Sequence, residues 1–267
     1  MGFSIGTGDA MVQVIVCIKQ VYDIGGLKVD QKTRSLITER VERKVSDFDK
    51  NALEEALRIR EKQGGSVIAI TLGSLAANDA LREALNMGAD EAYLIDVGEM
   101  EGLDARVISD LLAAAIRRIG GFDLLICGEA SVDMYAAQVG PRIAERLGIP
   151  LVSHARSVSV NGNVVMAERD LEDSYETVEA SMPLLLTVTK EINEPRIPKI
   201  TMVIKASKKT AKVLEARELG ISLAPSVEVL KALAPVTKRK REIIGGKTEE
   251  ITESLARQLL RDGVVGG

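Results

Sequence analysis

The 267-residue sequence predicts an α/β protein: an open, doubly wound, mostly parallel sheet with an antiparallel extension and a C-terminal arm. Three observations predict it. Short β-branched apolar runs alternate with amphipathic stretches from residue 12 to residue 148. Glycines close those stretches, at Gly64-Gly65, Gly88, Gly120-Gly121 and Gly148. Aromatic residues make up 3% and Trp is absent, so the core must be built from Val, Ile, Leu and Ala. That is the vocabulary of buried parallel strands and packed helices, not of a β-sandwich or a base-stacking surface.

The elements follow in order. Val12–Ile18 (VQVIVCI) has the length and composition of a buried strand and exits on Lys19. Asp47–Glu61 spaces Phe48, Ala52, Leu53, Ala56, Leu57 and Ile59 on one helix face, with Ser46 or Asp47 as the N-cap. Ser66–Leu72 is a second strand, and Ala76–Met87 an Ala/Leu helix. Glu91–Val97 is a third strand and Ala105–Ile119 a third helix. Asp123–Cys127 (DLLIC) is a fourth strand, leading through a loop into a helix over Ala137–Leu147. Strands separated by helices run parallel through crossovers, so this half reads as Rossmann-like. Ligands of such sheets sit beyond the carboxyl ends of the strands. The loops after Ile18, Leu72, Val97 and Cys127 are therefore the ones that matter.

The pattern then changes. Ser157–Val160, Asn163–Ala167, Tyr175–Ala180 and Pro183–Thr189 read as short strands, with Asn161-Gly162 as a hairpin turn. All four are expected in an antiparallel extension. EINEPRIPKI follows, with two prolines that oppose regular structure. From Pro195 to Lys212 there are six basic residues and no acidic one; with a net charge of -4 for the whole chain, the remainder carries -10. Residues 213–267 read as an arm that needs a partner to bury its apolar residues, ending in a helix over Lys247–Arg261. The first ten residues read as a flexible leader without the regions of a signal peptide. The domain scheme is thus 1–10 leader, 11–212 α/β domain and 213–267 arm.

Composition and motifs exclude several chemistries. The acidic balance (pI near 5.4) argues against a general nucleic-acid binder. No apolar stretch is long enough to span a bilayer, so direct membrane insertion is not expected. Cys17 and Cys127, each inside an apolar run, read as reduced thiols of a cytoplasmic protein. Gly246-Lys247-Thr248 resembles the end of a phosphate-binding P-loop, but Arg241 stands at the required first glycine. No Gly-x-Gly-x-x-Gly follows a strand. His154 is the one histidine and lies in a strand, where a structural role outweighs a catalytic one. The six carboxylates of Glu168–Glu179 read as a solvated hairpin face. No catalytic residue and no metal ligand is assigned.

What remains is the loop after the fourth strand: Gly128, Glu129, Ala130, Ser131 and Asp133, then Ala136, Ala137, Gln138, Val139 and Gly140. Small residues there open the backbone to a ligand, and the helix that follows offers its N-terminus to a phosphate. Composition alone leaves two readings, a phosphate cradle or a plain strand-to-helix loop.

From Met11 to Ile221 the chain resembles the beta subunits of electron transfer flavoproteins. Four stretches carry the resemblance: Val16–Asp23, Asp47–Ala56, Ala167–Thr187, and Asn193–Arg196 followed by Lys205 and its neighbouring lysines. It implies an adenine nucleotide alpha hydrolase-like fold and a heterodimer with an alpha subunit. It implies a nucleotide site lined by Cys17, Ser46, Asp47, Phe48, Asp49, Leu72, Gly73 and the Gly128–Gly140 loop. It implies a docking segment in which Ile200 stands where the family presents a leucine, with Arg196, Lys199 and Lys205 around it. In one branch the site holds AMP and electrons come from acyl-CoA dehydrogenases. In the other it holds FAD, which takes hydride from NADH and splits the pair between a high- and a low-potential route, reaching partners such as a dehydrogenase, quinone reductase or ferredoxin. Asp133 and Ala137-Gln138-Val139-Gly140-Pro141 resemble the second branch, so FAD is expected and AMP is the alternative. Met134, Tyr135 and Ala136 depart from that branch, replacing Gly, Asp and Thr, and Ser46-Asp47 replaces Asn-Pro. A non-redox nucleotide-binding module is the remaining alternative.

Overall fold

The computed structural model describes residues 11–98, 102–235 and 241–265; the expected leader lies outside them. Strand β1 (Val12–Cys17) enters the core, and the short β2 (Gln20–Tyr22), β3 (Lys28–Val29), β4 (Leu36–Ile37) and β5 (Arg43–Val45) follow before helix α1 (Asp47–Gln63). Then come β6 (Gly65–Gly73), α2 (Asn78–Met87), β7 (Glu91–Asp96), α3 (Ala105–Ile119), β8 (Leu124–Gly128) and α4 (Val139–Leu147). The second half holds β9 (Leu151–Asn161), β10 (Val164–Asp170), β11 (Tyr175–Ser181), β12 (Leu184–Val188), α5 (Ile200–Ala206), β13 (Lys212–Glu215) and α6 (Thr248–Arg261).

One nine-stranded sheet runs in the order β11-β10-β9-β12-β8-β1-β6-β7-β13. From β9 to β13 every neighbouring pair is parallel; β10 and β11 add on antiparallel. Successive side chains of a strand face opposite ways, and here both faces are buried. Val14 and Val16 pack with Leu53 and Leu57 of α1 and Leu81 of α2. Ile15 and Cys17 pack with Leu111 and Ile116 of α3 and Ile143 of α4. Continuous apolar runs, not alternating ones, follow from that double burial.

Several elements differ from the sequence reading. Leu184–Val188 is not part of the antiparallel extension: β12 lies inside the sheet, parallel to both β8 and β9. All five of its residues are buried, which a central strand requires and a hairpin edge does not. Strand β9 begins at Leu151, six residues before the expected start. Its pairing with β12 shifts register beside His154, whose φ of 55° breaks the alternation that would reveal a strand. Helix α4 starts at Val139 and α2 at Asn78, the latter after a 3-10 turn over Leu75–Ala77. The segment between β1 and α1, left unassigned by the sequence, forms the pairs β2–β5 and β3–β4.

Residues 212–215, at the junction where the sequence reading begins the arm, form the sheet edge on β7. Leu214, Leu219, Ile221 and Leu223 cover the α3 side of the core. Beyond them the described residues 224–235 run over the surface. Arg106 of α3 donates to the Ala224 carbonyl, and Arg34 and Ala234 exchange hydrogen bonds that tie the segment to the β3–β4 hairpin. Helix α6 buries no residue among those described.

Candidate functional site

The parallel strands leave β1 in two directions, through β6 and β7 on one side and β8 on the other. The carboxyl ends of β1 and β8 therefore form the switch point, where the loops part and where ligands of such sheets sit. The N-terminal turn of α1 lies beside it.

Asp49 joins the two strand ends. Its carboxylate accepts the Lys19 N–H at 2.8 Å, just past β1, and the Gly128 N–H at 3.2 Å, at the end of β8. Burial raises this carboxyl to about 7, against the opposing pull of those amides and of the Lys19 ammonium. Gly128 is required by the close approach: a Cβ there would stand 2.6 Å from Asp49 Oδ1 and 2.7 Å from Phe48 Cβ.

The following loop is pinned from below. The buried Ser46 hydroxyl accepts the Val132 N–H at 3.3 Å. Lys19 Nζ lies 2.7 Å from Asp133 and 3.4 Å from the Ser131 hydroxyl. Burial pushes the Asp133 carboxyl up, but hydrogen bonds from Lys19 and Ser131 outweigh it and hold the group below its ordinary value. Tyr135 donates its hydroxyl to Glu129 at 3.0 Å and sets its ring edge-on to Phe48, centroids 5.7 Å apart. Past this clamp the backbone opens. Ala136, Ala137 and Gln138 are exposed, and their N–H groups donate to no group among the described residues. Gly140 lets α4 sit against β12, since a Cβ would stand 2.8 Å from Thr187 Cγ2. The result is a row of free backbone donors leading into a helix N-terminus, a chemistry suited to an anionic group.

The structure gathers most of the expected residues here. Ser46, Asp47, Phe48 and Asp49 come from the start of α1, Gly128 to Gly140 from the β8–α4 connection, and Leu72 and Gly73 from the end of β6. Cys17 is the exception in direction. Its side chain packs into the α3/α4 core, in register with Cys127 on the neighbouring strand. The Cys127 thiol is pushed well above its ordinary value by a hydrogen bond with Cys17 and by burial. Lys19 and Tyr135 were not among the sequence-selected site residues. A lysine directly after a buried strand was the available signal for the first; nothing local marks the second.

The segment expected to dock a partner divides into inward and outward residues. Arg196 turns inward onto α1, its guanidinium 2.7 Å from Glu54 and paired with Glu61. Asn51 and Asn193 exchange hydrogen bonds beside it. Lys199, Lys205 and Ile200 face solvent, Ile200 at 80% exposure.

Fold and strand-end geometry define a doubly wound α/β protein built around a switch-point site. The pattern described as "Electron transfer flavoprotein domain" matches residues 33–219. The chain is 42% identical over 256 residues to the electron transfer flavoprotein subunit beta of Thermoanaerobacterium thermosaccharolyticum, spanning 93% of this chain and 98% of the relative. It is 34% identical over 262 residues to the caffeyl-CoA reductase-Etf complex subunit CarD of Acetobacterium woodii, spanning 95% and 100%. With the Clostridium acetobutylicum subunit beta it shares 37% over 246 residues, spanning 90% and 94%. The chain belongs to the electron transfer flavoprotein family, as a beta subunit that serves electron transfer.

Proposed function

We propose that this beta subunit pairs with an alpha subunit, holds FAD at the β1/β8 switch point and takes part in electron bifurcation in the cytoplasm. The observation that carries the reading is the open backbone of Ala136–Gln138 leading into α4, above a loop fixed by Asp49, Ser46 and Lys19. The donor set fits a dinucleotide: free amides and a helix N-terminus for its pyrophosphate, with Gln138 as a neutral side-chain donor. Ser46, Phe48, Leu72 and Gly73 would wall the adenosine side. Bound there, the flavin supplies hydride acceptance from NADH and delivery of electrons to a high- and a low-potential acceptor. The chain's own residues bind and orient; none needs to move a proton. The likeness to a subunit of a caffeyl-CoA reductase-Etf complex supports the same branch.

A second reading places AMP at this switch point and leaves electron flow to the alpha subunit. It is favoured by Met134, Tyr135 and Ala136, which remove a carboxylate and a hydroxyl from the FAD-type pattern. Family membership sets aside the non-redox module. The test is nucleotide extraction from the purified heterodimer. Two FAD per dimer, one reduced directly by NADH, is the expected result; one FAD and one AMP selects the second reading and overturns the first.

The exposed face of α5 is proposed to dock the redox partner, a dehydrogenase, quinone reductase or ferredoxin. Ile200 is its apolar anchor, with Lys199 and Lys205 at the rim, while Arg196 anchors the segment to α1.

A further inference from the structure

We propose that Tyr135, braced by Phe48 and Glu129, is a stacking platform for the planar ring of the nucleotide held at the switch point. The inference rests on the nucleotide-site reading above and adds a further binding residue to it. The loop position gave no reason to expect an aromatic, and the ring is 63% exposed in a chain where aromatics are 3% of residues. Its backbone occupies the left-handed region (φ 47°), uncommon for a bulky residue, and its N–H donates to the Ser131 carbonyl at 2.9 Å. Two contacts hold the side chain. The hydroxyl donates to Glu129 at 3.0 Å, and the ring edge rests on Phe48 with an interplanar angle of 62°.

These two contacts orient the ring while leaving it exposed. The open amides begin at the next residue, Ala136, so an anion seated on them lies beside the residue that carries this ring. Aromatic residues at such positions bind bases by π-contact, which is tolerant of ring identity and independent of hydrogen-bond pattern. The braced ring thus makes up, in binding, for the carboxylate and hydroxyl that this loop lacks.

The test uses the heterodimer with its alpha subunit. Nucleotide extraction first identifies whether the beta site of the unaltered protein holds FAD or AMP. That nucleotide is then titrated into stripped preparations of the unaltered protein and of Tyr135→Phe, Tyr135→Leu and Tyr135→Ala. The expected result is weakening of a few-fold for Tyr135→Phe, which keeps the ring and loses the Glu129 brace, and of roughly tenfold or more for both Leu and Ala, the loss typical of a removed base stack. Melting temperatures should stay level, because the ring is at the surface. Unchanged binding in Tyr135→Ala or Tyr135→Leu overturns the platform while leaving the nucleotide reading intact. Equal weakening in Tyr135→Phe and Tyr135→Ala assigns the effect to the Glu129 bond and also overturns stacking. An unaltered heterodimer that yields and binds neither nucleotide at the beta site overturns the underlying reading itself.

Discussion

Asp49 is a buried carboxylate that holds two strand ends through their amides, and its titration should be visible in the stability of the whole protein. Its folded carboxyl sits near 7 while the ordinary value is 3.8, because burial disfavours the charged form more than Lys19 and the two amides favour it. Between those values the folded state keeps a proton that the unfolded state releases. Stability therefore falls as pH rises from about 4 to about 7 and levels off above that. Asp49→Asn removes this titration, so its melting temperature should vary less with pH across that window. It should also lie lower at pH 5, by about 1–2 kcal/mol of stability, because a side-chain amide accepts from one backbone N–H and leaves the other without its acceptor. Thermal unfolding at a series of pH values checks both. An Asp49→Asn curve parallel to that of the unaltered protein would refute the assignment. At the same scale Glu54 behaves the opposite way. Burial pushes its carboxyl up, but hydrogen bonds from Arg196 and Arg58 outweigh it and hold the carboxyl below its ordinary value. That is why Arg196 serves as an anchor and not as part of the exposed rim.

Helix α5 shows how an element too short to be stable alone is held and aimed. Seven residues cannot sustain a helix in water, so tertiary contacts must fix it. Arg82 of α2 donates to the carbonyls of Ala206 and Lys209 at its C-terminal end, Met202 packs toward Gly88, and Ala206 is buried. These contacts leave Ile197, Ile200 and Ile204 outward, an apolar strip that the fold itself does not use. Ile200→Ala should slow electron exchange with the redox partner by about tenfold or more, as loss of a central apolar anchor does. Nucleotide content and melting temperature should not change. Stopped-flow exchange with the purified partner measures this, and an unchanged rate would refute the anchor. Two elements illustrate the limit of periodicity in reading such a chain. Helix α1 was legible because its apolar spacing and its Gly64 stop are local. Strand β12 was recognised as a strand but given the wrong neighbours, since Leu184–Val188 states that it is buried and not which strands cover it.

For the molecule as a whole, residues 224–235 form a surface-running segment held to the rest by polar contacts. It crosses from α3 to the β3–β4 hairpin through a few polar contacts, and Leu230, Ile243 and Leu260 remain exposed. These residues motivate the proposal that the alpha subunit covers this segment. Deleting residues 224–267 should leave the melting temperature of the α/β domain within a few degrees of the full chain and abolish tight association with the alpha subunit. Analytical ultracentrifugation of the mixed subunits decides it; a heterodimer of undiminished affinity would show that the interface lies elsewhere. No helix among the described residues is long and apolar enough to cross a membrane.

Legible before folding were the doubly wound class, the main helices of the first half, the switch-point loop and the likeness to the beta subunits. Those follow from local signals: apolar runs, helical spacing, glycine stops and motif residues a few positions apart. Only the tertiary structure decided that β12 is central, that residues 212–223 close the sheet and core, and that Arg196 faces inward. It also brought together Asp49, Lys19 and Gly128, and seated Tyr135 between Phe48 and Glu129. The reason is physical. Strand neighbours and charge partners are chosen by contacts between residues about 30 to 140 positions apart, such as Lys19 with Asp133 and Arg196 with Glu54. Nothing in the spacing of a local segment records which distant residue will arrive beside it.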